Sequence, residues 1–341
     1  MSEVPAAPTP DITDVTDVAG GRVAAAAAAV GRTDEVLRRV ETVVLGQRET
    51  LRQMMVALIA GGHALLEGVP GTAKTLAIRS LALALELRFG RVQFTPDLMP
   101  TDLLGVNVLD ELRRDFVYHP GPVFTDLLLA DEINRAPAKT QSALLEAMQE
   151  RQVTVDGVSR PLSQAFTVFA SQNPVEYEGT YPLPEAQLDR FLLKIVLPYP
   201  AAAAERAILD RYAEGFRADR PESFGFEPVF GEGELLALRE AAGRVHVEPS
   251  VRDYVTRIVR ATRAEPSFAL GASPRAGVAL FLAARAEALL AGRDFVTPDD
   301  VKTLALPVLR HRVILTPDAE IEGDTPDNRL EALLATLEAP R

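Results

Sequence analysis

Three short stretches carry residue types suited to phosphate chemistry. The first is Gly68-Val-Pro-Gly71-Thr72-Ala73-Lys74-Thr75. Small residues let successive backbone N–H groups turn inward as a nest for phosphate oxygens. A helix opening at Lys74 adds the positive end of its dipole. Lys74 supplies a charge for the β- and γ-phosphates of ATP, and Thr75 a hydroxyl for Mg²⁺. Ala73 stands where such loops usually carry glycine. Its single methyl hinders the approach of a ligand to the backbone without blocking it. The second stretch is Leu127-Leu-Leu-Ala-Asp131-Glu132, an apolar run that ends in two carboxylates. Ligands bind at the C-terminal edge of open α/β sheets. There Asp131 would hold the metal, and Glu132 would act as general base on the attacking water. The third is Ser171-Gln-Asn173-Pro174. The Asn173 amide would orient water beside the γ-phosphate, although alone it reads as an Asn-Pro turn.

Two arginines complete the candidate catalytic set: Arg190 in Gln187-Leu-Asp-Arg-Phe191, and Arg275 in Gly271-Ala-Ser-Pro-Arg275. A guanidinium beside the γ-phosphate offsets transition-state charge. Arg135 and Arg151 are rival candidates on the same chemistry. Gly46-Gln47, upstream of the loop, would pack against adenine, and a simple helix break explains the pair equally well. His63, His119, His246 and His311 are scattered without metal-ligand spacing, so none receives a role.

These residues need elements to position them. His63–Leu66, Val92–Phe94, Leu127–Ala130, Thr167–Ala170 and Leu192–Val196 are short apolar runs of strand length. Helical stretches separate them, notably Lys74–Leu87 and Lys139–Arg151. This alternation predicts a parallel sheet covered on both faces, a three-layer αβα domain. Asp156-Gly157 between apolar residues predicts a hairpin across 153–158, and a second is expected around Val106–Val108 and Phe116–Tyr118. After Pro198 and Pro200 the pattern turns helical, with Leu235–Ala242, Pro249–Ala264, Pro274–Ala291, Pro298–Leu309 and Leu330–Leu337. The expected organisation is a flexible tail over 1–30, an α/β domain over 31–200, a linker region over 201–230 and a helical domain over 231–341.

The 341 residues are 47% apolar and 25% charged, enough for a sizeable core. The net charge of −12 disfavours nucleic acid as a partner. With no cysteine, disulfides, thiolate metal sites and cysteine nucleophiles are excluded, and a cytoplasmic location fits. No apolar run reaches the ~18 residues of a membrane span, and the N-terminal stretch does not read as a secretory signal.

With these motifs the chain resembles the MoxR family of AAA+ ATPases over roughly 33–335. The resemblance rests on the phosphate loop from Glu67 to Thr75, Asp131-Glu-Ile-Asn-Arg-Ala136, Ala147-Met-Gln-Glu150, Ser171-Gln-Asn-Pro174, Gln187-Leu-Asp-Arg-Phe191 and Gly271-Ala-Ser-Pro-Arg-Ala276. Alanine before the Walker A lysine is frequent in that family. The resemblance implies a P-loop AAA+ domain followed by an all-helical lid. In it Asn173 is sensor 1, Arg190 a trans-acting arginine finger and Arg275 the sensor 2 residue. The hairpin at 153–158 is then the pre-sensor-1 hairpin, and the segment near 106–123 the helix-2 insert. It further implies a homo-hexameric ring, chaperone-like remodelling of a client protein, and a partner with a von Willebrand factor A domain. A DNA-processing motor, a chelatase-type subunit and a nucleotide-dependent scaffold with negligible turnover are the alternatives.

Overall fold

The computed structural model describes residues 30–69, 71–112, 114–173, 180–218, 220, 226–231 and 233–340. The tail expected over 1–30 falls almost wholly outside them, as do Pro70, Pro174 and part of the expected linker. The chain opens with α1 (30–41) and α2 (Arg48–Ile59), then β1 (Ala64–Glu67), α3 (Lys74–Ala84) and β2 (Phe89–Gln93). A short α4 (Pro100–Leu104) precedes the hairpin β3 (Gly105–Asp110) and β4 (Asp115–Pro120). Next come β5 (Leu127–Asp131), α5 (Ala138–Glu150) and the hairpin β6 (Gln152–Val155) and β7 (Val158–Pro161). Strand β8 (Thr167–Gln172), α6 (Glu185–Leu188) and β9 (Leu193–Val196) complete the α/β part. Helices α7 (Ala202–Ala213), α8 (Glu234–Arg244) and α9 (Pro249–Ala264) follow, then β10 (Phe268–Leu270) and α10 (Pro274–Leu290). The chain closes with α11 (Pro298–Leu309), β11 (Ile314–Leu315), α12 (Pro317–Ile321) and α13 (Pro326–Thr336).

The main sheet has five strands in the order β2-β5-β8-β1-β9, all parallel. Its three inner strands, β5, β8 and β1, are buried along nearly their whole length because both faces of the sheet are covered. Side chains alternate in the expected way. Ala64 and Leu66, Leu127 and Leu129, and Phe169 point into one cluster with α2, α3 and the C-terminal helices. Leu65, Leu128, Ala130, Val168 and Ala170 point into another with Leu144, Leu145 and Met148 of α5. The first cluster runs without a break from α1 and α2 through the sheet into α8–α11. The lid therefore shares a core with the α/β part of its own chain.

Local signals explain the lid helices. Pro249, Pro274, Pro298, Pro317 and Pro326 stand in the first turn of their helices, where a missing N–H costs nothing. Thr297 and Asp300 form a capping box on α11, and Thr316 and Thr325 cap α12 and α13. The small antiparallel pair β10–β11 is an addition to the expected all-helical lid. In the hairpin of β6 and β7, Asp156 and Gly157 have φ of 50° and 77°, as a two-residue primed turn requires. Among the described residues no helix is long and apolar enough to cross a membrane.

His63, assigned no role from sequence, is a core residue. Its Nδ1 accepts from the Val168 N–H at 2.9 Å, and its Nε2 lies 3.2 Å from the Met148 carbonyl. Burial, with the charge of Arg151 second, lowers its pKa to about 3. His311 bonds the Phe191 carbonyl at 3.0 Å and is also pushed well below its ordinary value, chiefly by burial. Both stay neutral in the fold, while in the unfolded chain they take up a proton near pH 6.5. Stability is therefore full above that pH and falls as pH drops, by up to about 1.4 kcal/mol per pH unit for each histidine. Denaturant unfolding between pH 7 and 5 will show this slope, and His63→Gln should lessen it. An unchanged slope in the variant would remove His63 as its source.

Candidate functional site

The phosphate loop joins β1 to α3. Ala73 is the N-cap of α3 with φ 59° and ψ 24°, a left-handed conformation. A residue with a Cβ there costs about 1–2 kcal/mol. Alanine at this place is thus a backbone strain as well as the steric matter read from sequence. Gly71 is also left-handed at φ 87°, and a Cβ built on it meets nothing within 4 Å. The loop therefore opens onto free space. Gly68 is required for the opposite reason, since a Cβ there would sit 2.9 Å from Leu197 Cβ. Thr72 Oγ donates to the Val69 carbonyl at 3.0 Å, and Lys74 Nζ donates to the Gly68 carbonyl at 2.6 Å.

The end of β5, one strand beyond β8 from β1, brings the acids. Asp131 closes β5. Its Oδ2 accepts from Arg91 Nη2 at 2.7 Å and its Oδ1 from Ser171 Oγ at 2.5 Å. Glu132 follows in a left-handed conformation, φ 55° and ψ 50°. This turn lets its N–H donate to the same Ser171 Oγ at 2.9 Å. Gln93 and Arg135 both donate to Glu132 Oε2, at 2.7 and 3.0 Å. Asn173 comes directly after β8 and is buried.

A cavity of about 660 Å³ unites these groups: Gln47, Gly71, Thr72, Ala73, Lys74, Thr75, Asp131, Glu132 and Asn173 all line it. The Thr75 hydroxyl and the Asp131 carboxylate are hard oxygen donors. Few protein ligands plus phosphate oxygens and water is the pattern that suits Mg²⁺. Gln47 Nε2 donates to the Thr72 carbonyl at 3.1 Å, so this side chain braces the loop. Its Oε1 is buried with no partner among the described residues, an acceptor awaiting a donor at the cavity wall. Gly46 does not line the cavity. Its φ is 74°, and a Cβ on it would lie 2.7 Å from Ala204 Cβ, so glycine there admits α7.

Sequence reasoning missed the apolar end of this cavity. Val43, Val44 and Leu45 line it together with Ile208, Tyr212 and Phe216. The Tyr212 and Phe216 rings meet edge-on at 5.6 Å. Ile208 and Tyr212 are four apart on α7, in the stretch of 201–230 that reads as a helix before the linker, so their pairing was readable in principle. Such a slot beside a phosphate cradle suits a planar base.

Arg190 and Arg275 are elsewhere. They share a second cleft of about 260 Å³ with Arg151, Asp189 and Arg312, and neither lines the cavity of the phosphate loop. The rival arginines have other partners. Arg135 pairs with Glu132, and Arg151 donates to the Gly61 carbonyl at 2.6 Å and the Phe166 carbonyl at 3.2 Å.

Comparison with known proteins agrees with this geometry. Residues 63–193 match the model of the "ATPase family associated with various cellular activities (AAA)", and residues 260–333 that of the AAA lid domain. Chaperone MoxR1 of Mycobacterium tuberculosis is 44% identical over 324 residues, 92% of this chain and 84% of that protein. The uncharacterized protein YeaC of Bacillus subtilis is 43% identical over 306 residues, 90% of this chain and 94% of its own. The crystal structure of a Cytophaga hutchinsonii protein superposes with a TM-score of 0.85 at 38% identity, covering 96% of this chain and 99% of that one. A parallel αβα sheet with a phosphate loop, a helical lid after it and this degree of likeness lead to one assignment: the chain belongs to the MoxR family of AAA+ ATPases.

Proposed function

We propose that this ATPase binds ATP and Mg²⁺ in the larger cavity, hydrolyses it only when a second subunit completes the site, and uses the cycle to remodel a client protein. The observation that carries this reading is the separation of the two halves. The phosphate loop, Asp131, Glu132 and Asn173 line one cavity, while Arg190 and Arg275 share another cleft. A guanidinium offsets γ-phosphate charge only close to it. The two arginines therefore serve the nucleotide of a neighbour, and a closed ring of like subunits, a hexamer in this reading, completes every site.

Within the cavity, Lys74 and the loop amides hold the phosphates, Thr75 and Asp131 hold the metal, Glu132 takes the proton of the attacking water and Asn173 orients that water. The metal supplies neutralisation of phosphate charge. Gln47 and the Tyr212–Phe216 slot receive the base. The proposed organisation keeps an α/β domain to about residue 200, a connecting region to about 230 and the lid beyond.

The client end is assigned to the two hairpins. Val106, Val108, Leu109, Leu112 and Phe116 of the β3–β4 hairpin are exposed, an apolar surface of the kind that marks contact with a partner. The hairpins are tied together: Asn107 Nδ2 donates to Asp156 Oδ2 at 2.6 Å, and the Arg160 guanidinium lies 3.7 Å from the Tyr118 ring centre. Through them we assign a client and a von Willebrand factor A domain partner. The test is affinity capture on the Glu132→Gln protein with ATP and with ADP, alongside light scattering of the free protein. The expected result is a ring of six and ATP-dependent retention of a von Willebrand factor A domain protein. A monomer at all nucleotide states, or retention indifferent to nucleotide, would remove the reading.

A further inference from the structure

Arg312 follows α11 and crosses to the Asp189–Leu192 segment that carries Arg190. All five of its guanidinium N–H groups are engaged. Nε donates to Asp189 Oδ1 at 2.7 Å. Nη2 donates to the carbonyls of Asp189 at 3.2 Å and Phe191 at 2.7 Å. Nη1 donates to those of Leu192 at 3.2 Å and Val308 at 2.6 Å. The two acceptors of Nη2 flank Arg190 in the chain, so the finger residue is pinned on both sides by one planar group. The Arg312 side chain is 2% exposed. Burying a cation this deeply is costly, and apolar packing would have joined the lid to the sheet without that cost. What the guanidinium adds is direction. Its rigid fork fixes several backbone carbonyls at once, which a lysine ammonium on a flexible stem does not do.

The second carboxylate oxygen of Asp189 extends the link. It accepts from Ser273 Oγ at 3.2 Å, and Ser273 is the N-cap of α10, two residues before Arg275. One carboxylate thus joins the finger segment, the start of the helix that bears Arg275, and Arg312.

We propose that Arg312, acting through Asp189 and the carbonyls around it, is the positioning residue that holds Arg190 and Arg275 in one register for delivery to a neighbouring subunit's triphosphate. The proposal rests on the reading that these two arginines act in trans. Arg312 does not line the phosphate-loop cavity, so its role separates from nucleotide binding. In the full-length ring, Arg312→Lys keeps the charge and loses the fork. It should lower kcat by about 100-fold, the scale of a misplacement of about 1 Å, with the KM and affinity for ATP unchanged. Asp189→Asn should lower kcat by about 10-fold. Mixing Arg312→Lys with Lys74→Ala should restore turnover, because the Lys74→Ala subunits offer correctly held arginines to intact phosphate loops. A kcat for Arg312→Lys within about twofold of the parent overturns the proposal. So does a loss matched by weaker ATP binding, or one that mixing does not restore, since either marks a merely structural residue. Should Arg312→Lys fail to fold, Asp189→Asn, measured and mixed in the same way, still decides. Arg190→Ala measured in parallel keeps the two readings apart. If it is inactive while Arg312→Lys is normal, only the positioning role falls. If Arg190→Ala turns over normally, the finger reading falls and takes Arg312 with it.

Discussion

Arg190→Ala is expected to lower ATP turnover by about 10³–10⁵-fold while nucleotide still binds. That range is what an arginine finger contributes where charge builds on transferring phosphoryl oxygens. Binding should persist because Arg190 lies in the cleft with Asp189 and Arg312, outside the cavity that holds the phosphate loop. The same placement makes a stronger demand. In the proposed ring, Arg190→Ala subunits keep their phosphate loops and lose the finger, and Lys74→Ala subunits keep the finger and lose a working loop. Neither should turn over alone. Mixed in equal amounts, part of the interfaces pair a good loop with a good finger, and a measurable fraction of parental turnover should return. Steady-state phosphate release across mixing ratios reads this directly. Absence of recovery in rings shown to be mixed would place the finger in its own subunit, against the observed separation.

Glu132→Gln should abolish turnover and leave ATP bound, with kcat lowered by about 10²–10⁴-fold, the contribution of a positioned general base. The substitution is nearly isosteric, and an amide still accepts from Gln93 and Arg135. Both of those contacts fall on Oε2, which leaves Oε1 for the attacking water. What the amide lacks is basicity. In the proposed site Lys74, the loop amides and Gln47 hold the nucleotide, and the change does not touch them. Equilibrium binding of a fluorescent ATP analogue beside single-turnover hydrolysis separates the two effects. An unaltered hydrolysis rate would remove Glu132 as the base.

The legible part of the site was the part that is local in the chain. A glycine-rich turn between an apolar strand and a helix has few conformations that satisfy its backbone. An apolar run ending in Asp131-Glu132 has its carboxylates at a sheet edge wherever the sheet is built. The left-handed backbone at Ala73 and Glu132 was not legible. Neither residue type favours positive φ, and it is the surrounding loop and the Ser171 hydroxyl that impose it. Gln47 was read as an adenine contact or a helix break. The structure gives it a bracing bond to the Thr72 carbonyl, a contact that exists only once α2 packs beside the loop.

Amino-acid order alone therefore determined the fold class and pointed to the candidate phosphate loop and its acids, because each depends on periodicity or on neighbours a few residues apart. Tertiary structure alone decided that Arg190 and Arg275 share one cleft, that Arg312 lies beside them, and that Ile208 and Tyr212 of α7 line the cavity of the phosphate loop. Those contacts join residues far apart in the chain, 84 positions for Ser273 with Asp189 and 123 for Arg312 with Asp189. They are set by how the lid helices share one continuous core with the sheet, a packing outcome that no local pattern encodes.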